Sequence, residues 1–475
     1  MSLIQIAWRN MRQRGLSSAL TLLSLALGIA LTVLVLGIYG IIEDAFRRNS
    51  SVGYNLIVGA KGSPLQLTLN TVYYLSQPIE TIPYDEYLEY LPQSERQRQA
   101  ELFNGIGDVD TDRDGRYAPY MMGGFAIPVG LGDYFGPFRV VATTPDFFEL
   151  LRHGPNLDQE FRFAEGRNFR LDDPEHGPFE AVIGSRVAAD MGVGVGDTID
   201  PSHGDPDGHG HDVHFAIVGI LEPTGTPNDR AAFVNLEGFY LMEGHARVID
   251  PEAAPGDGES EEEESAEEVA SGEPQEPSPG PEAAGTLSYE PLPIDRRDLT
   301  AVLLRADGIF AAKMQKTINK SLRTQAAAPV GEITGLLTVI VGPLLSALLL
   351  ITVLTCVVAA VGILVSIYNS MNDRKRDIAV MRALGARRDT VLAIILLESL
   401  LIAVGGALIG WVLAHVAMYA AGGFIEERTG VQVGLLTVSR AELMVVPLVL
   451  VLAALAGLLP ALVGYRTDVS KNLNP

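Results

Sequence analysis

Four of the chain's eight histidines fall within twelve residues, in the stretch PSHGDPDGHGHDVH. His203, His209, His211 and His214 are spaced H-x5-H-x-H-x2-H and are interleaved with Asp205, Asp207 and Asp212. Imidazoles beside carboxylates suit zinc or a neighbouring divalent transition metal, and a glycine-rich loop can gather them around one ion. The spacing matches no fixed zinc signature. The stretch also lies between GVGDTI and HFAIVGIL, where a polar hairpin tip facing solvent is expected. A metal centre and a plain hairpin tip both stand at this point.

A second polar run, GDVDTDRDGRYAPYM, places Asp108, Asp110, Asp112 and Asp114 ahead of Gly115. Counted from Asp110 it reads D-x-D-x-D-G, the first half of a calcium loop. Position twelve, where a bidentate Glu belongs, is Met121. A polar loop is the expectation and calcium its alternative.

Residue types exclude much other chemistry. The phosphate-binding sequence GxxxxGK[ST] occurs nowhere. The glycines at 59–62 and 192–197 lack its lysine and read as turn glycines. There is no GxSxG and no HExxH, and the one cysteine, Cys356, lies in an apolar run as a small packing residue. The chain is therefore read as carrying no catalytic site and no cofactor of its own. Glu398 and His415 fall within an apolar run. They read as a carboxyl facing a polar interior and a neutral packing residue, not as a proton relay.

One further concentration is basic. Between two apolar runs stand Arg374, Lys375, Arg376, Arg382, Arg387 and Arg388. Ile378, Met381, Ala383 and Leu384 recur near helical spacing, and Gly385 offers a stop. A short basic helix held at both ends by membrane spans is placed to touch a partner on the cytoplasmic side.

The elements that must position these groups follow from composition. Hydrophobic residues make up 47% of 475, yet Asp and Glu outnumber Lys and Arg by 58 to 35. That conflict fits a chain divided between lipid and water. The net charge of −23 argues against nucleic-acid binding. Residues 1–16 are amphipathic, with Leu3, Ile4, Ala7, Trp8 and Met11 against Arg9, Arg12 and Arg14. Residues 17–42 form an uncharged run long enough to cross about 30 Å of hydrocarbon. No such run recurs before 336–368, 390–421 and 442–465. Arginine and lysine before the first run, at 369–389 and at 466–475 put both termini and the basic segment in the cytoplasm. The loop at 422–441 then lies outside.

The fold expected is an α-helical membrane protein with four transmembrane helices and a large α+β extracytoplasmic domain, residues 43–335, between the first and second. Alternation at 215–221 and 299–304 predicts half-buried strands, and 308–325 a helix leading back to the membrane. Two subdomains are expected. The segment 250–293 interrupts the domain. It holds 13 acidic residues and no basic ones between 250 and 282, and reads as a disordered acidic insertion.

One span, a large outer domain and three further spans resemble the FtsX/MacB-type permeases of ABC transporters, the mechanotransmission family. RKRDIAVMRALGARRDTVLAIILLES is similar to that family's arginine-rich motif, with Asp377 in place of the usual Glu and a match at Arg382, Ala383, Leu384, Gly385, Ala386 and Glu398. GGALIGWVLA and LLPALVGYRTDVSKNL resemble the middle of the third span and the end of the fourth. EGRNF, EAVIGSRVAADMGVGVGDTI and FAIVGILEPTGTPNDRAAFV resemble the periplasmic core domain.

The resemblance implies an elbow helix at 1–16 and a permease in the inner membrane with its large domain in the periplasm. It also implies a homodimer working with a separate cytoplasmic ATPase that supplies ATP and Mg2+. The basic segment would dock on that ATPase through Ile378, Met381 and Leu384, rimmed by Arg374, Arg376 and Arg382, with Asp377 and Gly385 completing the motif. Export or extraction of a lipoprotein, peptide or small apolar compound on the outer side is the function implied, with a periplasmic partner protein. The alternatives are a signalling permease acting on a cell-wall enzyme or sensing a peptide, and a zinc-transport permease using the His-rich loop.

Overall fold

In the computed structural model the chain divides into two units, one of Met1–Arg48 with Ile333–Pro475 and one of Asn49–Glu332. The structure describes residues 2–13, 15–49, 53–78, 80–103, 110–154, 156–203, 212–245, 287–373, 380 and 385–429, with isolated positions between 447 and 462.

The first unit is helical because apolar runs in lipid must satisfy their own backbone groups. A helix at Leu3–Gln13 precedes a long one at Gly15–Asn49. A short helix, Pro329–Leu336, passes through one π-helical turn, Leu337–Val341, into Gly342–Asp373. The last long helix is Arg388–Thr429. Among the described residues, three stretches are long and apolar enough to span a membrane: Ser18–Ile41, Pro329–Gly362 and Arg388–Gly423. The fourth expected span, 442–465, falls outside the described residues except for scattered helical positions.

Gly405, Gly406 and Gly410 explain why the last long helix packs closely on the first. A Cβ on Gly410 would lie 2.5 Å from the Ala26 carbonyl oxygen and 2.9 Å from the Ile29 Cβ. One turn earlier, a Cβ on Gly406 would meet the Leu25 side chain at 2.9 Å. Small residues one turn apart let two backbones approach, which replaces the hydrophobic drive that lipid does not provide. Leu25, Ile29 and Val33 accordingly share a buried cluster with Val391, Ile395, Ile402 and Ala403. Gly410→Val should cost about 1–3 kcal/mol of helix packing. A lower thermal midpoint of the full chain in detergent checks it, with Gly423→Val, whose Cβ meets nothing within 4 Å, as the neutral control. His415 is 5% exposed, with Nδ1 3.1 Å from the Trp411 carbonyl and its ring tilted against that of Trp411 at 4.2 Å between centroids, as a packing residue would be.

The second unit is built on an eleven-stranded sheet. Its strands are Leu56–Ala60 (β1), Phe125–Phe135 (β2), Phe138–Thr143 (β3), Phe163–Gly166 (β4), Glu180–Ile183 (β5), Thr198–Ile199 (β6), Ser202–His203 (β7), Phe215–Leu221 (β8), Ala231–Asn235 (β9), Ala301–Arg305 (β10) and Thr324–Ala327 (β11). The order is β11-β1-β10-β2-β3-β9-β5-β8-β4, with β7 added to β2 and β6 to β8. Strands β3 and β9, and β5 and β8, run parallel; the other pairs are antiparallel.

Both faces of this sheet are covered. Val58, Val140, Ile183, Val234 and Val302 point into one core, with Tyr87, Phe239 and Met314 from flanking helices. Ile57, Val141, Val182, Phe233 and Leu303 point into the other, with Leu67, Phe147 and Phe148. The expected half-buried strands are therefore corrected: four of the five residues of β10 are buried, on both parities. A sheet covered on both sides selects apolar residues at every position.

The expected pair of subdomains is also one sheet, since β10, which follows the acidic segment, lies between β1 and β2. The helix expected over 308–325 ends at Ile318, and the chain returns as the edge strand β11. That strand pairs with β1 from Ile57↔Ala327 to Ala60↔Thr324, so the two ends of the unit meet side by side.

The acidic segment is flanked by an ion pair. Glu237, in the helix Leu236–Tyr240, holds Arg297 through two contacts of 2.7 and 2.9 Å, with side chains 3% and 0% exposed. Most of the expected insertion lies outside the described residues, but Leu287 and Leu292 pack against the core.

Candidate functional site

The second strand carries GLGDYF, and its ladder with β3 shifts register between Leu131 and Tyr134. Such a bulge re-aims side chains. Here it falls at Asp133, a carboxylate 0% exposed in a strand otherwise rich in apolar residues. The short strand β7 pairs at the same place, with His203 directly opposite Asp133 and Ser202 opposite Tyr134. His203 Nδ1 lies 3.3 Å from Asp133 Oδ1.

A second imidazole reaches the other oxygen. After the helix Leu236–Tyr240 the chain turns at Gly244, whose φ of +85° suits glycine. That turn delivers His245, with Nε2 3.1 Å from Asp133 Oδ2. The His245 ring rests on Phe239 at 4.1 Å between centroids and meets the His203 ring edge-on at 5.3 Å. The His203 side chain is 59% exposed and that of His245 7%. One ligand atom from each of Asp133, His203 and His245 lies within 4.8 Å of the others. The neighbouring cation, Arg139, donates to the Ser76 carbonyl at 2.7 Å and stacks over Tyr134.

A second cluster, Asp173, His176 and Glu180, has a different character. Arg167 already binds both carboxylates, at 2.8 Å to Asp173 and 2.5 Å to Glu180, and Arg170 adds a contact of 3.0 Å to Asp173. The Glu175 amide, followed by the His176 amide and the two arginines, holds the Asp173 carboxyl down to about 2. Guanidinium groups there already occupy the position a metal ion would need. This cluster fixes the turn between β4 and β5.

Two of the four histidines grouped by the sequence have described contacts. His203 joins Asp133 and His245, whereas His214 lies on Asp200, with Nδ1 2.5 Å from a carboxylate oxygen. His209 and His211 lie outside the described residues. Asp108 lies outside the described residues; of the rest of the aspartate run, Asp110 accepts from the Asp112 amide at 3.0 Å and Asp114 from the Gln93 amide at 2.8 Å. Of the basic segment, Arg374, Arg376, Asp377, Ile378, Met381, Arg382 and Leu384 lie outside the described residues. Gly385 is described, and its φ of +100° suits a helix stop.

Asp133 and His245 escaped the sequence reading. Asp133 carried one signal, a lone charge inside an apolar strand. His245 carried none, since it is far from His203 along the chain and only the fold brings them together.

Residues 18–267 match the family described as the MacB-like periplasmic core domain. Residues 349–469 match the one described as the FtsX-like permease C-terminal region. No curated protein matches the chain significantly.

Proposed function

Because the chain belongs to the FtsX/MacB-type permeases of ABC transporters, we propose that it converts ATP hydrolysis by a separate cytoplasmic ATPase into shape change of its sheet unit. Permeases of this family generally work with such an ATPase. The observation that supports the reading most directly is the joint match, core domain over 18–267 and permease region over 349–469. No stretch of the sequence carries GxxxxGK[ST], so the nucleotide, with its Mg2+, is assigned to the partner.

In this reading the chain sits in the inner membrane with four spans, both termini in the cytoplasm and the sheet unit in the periplasm. Two permease copies work with two ATPase copies. The segment at 369–389 enters a groove of the ATPase, with Ile378, Met381 and Leu384 as apolar anchors and Arg374, Arg376 and Arg382 at the rim. Asp377 and Gly385 shape the ends of that helix. The work done is export or extraction of a lipoprotein, peptide or small apolar compound on the outer side.

Affinity purification of the tagged full chain from its own cells tests the pairing. An ATPase subunit is expected in the eluate, with vanadate-sensitive ATP hydrolysis. An eluate that neither contains an ATPase nor hydrolyses ATP would overturn the coupling.

A further inference from the structure

We propose that Asp133, His203 and His245 bind one divalent transition-metal ion, with zinc the ion of best fit. Two imidazole nitrogens and one carboxylate oxygen form a donor set suited to zinc and its neighbours, whereas calcium and magnesium take oxygen. The three groups converge: one ligand atom from each lies within 4.8 Å of the others, and His203 Nδ1 and His245 Nε2 each reach one oxygen of Asp133, at 3.3 and 3.1 Å.

Burial supplies a second argument. Asp133 is 0% exposed, with two imidazoles on its oxygens and Arg139 close enough to interact with its charge. A divalent ion among these three groups would add a directly bonded positive charge to a carboxylate buried in the sheet. Solvent exposure of His203 leaves an approach to the ion, and three protein ligands leave a fourth position for water or an incoming group.

The ligands come from three parts of the chain. Asp133 sits on the bulge in β2, and His203 ends β7, where the His-rich stretch begins. His245 stands immediately before the segment that leads into the acidic run. Bound metal would pin the starts of both stretches to one point on the sheet. Nothing in this inference needs an ATPase or a transported substrate, so its failure would leave the permease reading untouched.

Zinc binding to the full chain tests it. The chain is purified in detergent with a non-histidine tag, stripped with chelator, and titrated against a chromophoric zinc competitor. A variant carrying His209→Ala, His211→Ala and His214→Ala removes the other histidines of the loop and should retain one zinc per chain. Adding Asp133→Asn or His245→Gln to it should weaken that zinc by more than about a hundredfold, since loss of supporting groups alone costs 10–100-fold. His203→Gln, at a side chain 59% exposed, should do the same without disturbing the fold, as an unchanged gel-filtration profile would show. Absence of zinc from the loop variant, or affinity unchanged by His203→Gln and His245→Gln, would overturn the site and leave a hydrogen-bonded imidazole–carboxylate cluster.

Discussion

Replacing Met381 and Leu384 together by Asp is expected to abolish both retention of the ATPase on the purified chain and stimulated ATP hydrolysis. Burying a Leu or Met side chain is worth about 1.5–3 kcal/mol. Losing two such anchors costs roughly 3–6 kcal/mol, and each 1.4 kcal/mol is tenfold in affinity. The carboxylates add a desolvation cost in any groove that closes over them. Together these should raise the dissociation constant by more than about a thousandfold.

Arg374→Ala with Arg376→Ala should act differently. Rim charges steer encounter, so that variant should slow association and blunt its salt dependence while binding persists. Arg387 and Arg388 lie beyond the Gly385 stop and serve as the control, their Ala variants behaving as wild type. Survival of both retention and stimulated hydrolysis in the Met381→Asp, Leu384→Asp chain would show that the segment does not couple.

The second large effect is expected at the ion pair beside the acidic segment. Arg297→Met should lower the thermal midpoint of the full chain in detergent by on the order of 10 °C. Arg297 is wholly buried; its guanidinium lies 3.9 Å from the Phe103 ring centroid and 5.1 Å from that of Tyr240. Its Nε donates to the Leu292 carbonyl at 2.6 Å. Burial raises the pKa of the Glu237 carboxyl, and Arg297 opposes that rise. Removing the cation leaves a buried carboxylate uncompensated, a loss of about 3–5 kcal/mol. Adding Glu237→Leu to Arg297→Met should recover more than half of the lost stability, because an apolar pair needs no charge partner. A midpoint for Arg297→Met within about 1 °C of wild type would show that the pair contributes little.

The sequence made different parts of this molecule legible to different degrees. Apolar runs such as 17–42 and 390–421 were plain, because a span needs only length and scarcity of charge. The family was legible for a similar reason, since RALGA and its flanking arginines are local in sequence. The sheet was harder to read. Val302 and Leu303 face opposite cores, so the period-two signal that marks a half-buried strand disappears where both faces are apolar. Arg297 gave no warning, because a buried arginine is legible only through a partner that lies 60 residues away. The metal candidate was half legible. His203 stood out within a dense run of histidines, but its partners depend on a bulge in β2 and a glycine turn at Gly244, neither of which has a period to detect.

The side-by-side ends of the sheet unit have a mechanical consequence. Chain enters at β1 and leaves at β11, and Ile57 faces Ala327 at the shared end of that ladder. Tension that draws the two ends apart therefore loads the ladder in peeling mode, one rung at a time, and strips the edge strand at low force. A displacement that carries both ends together loads no rung and moves the sheet as a solid body. The ladder geometry thus makes the unit stiff towards a displacement shared by both ends and weak towards one that separates them.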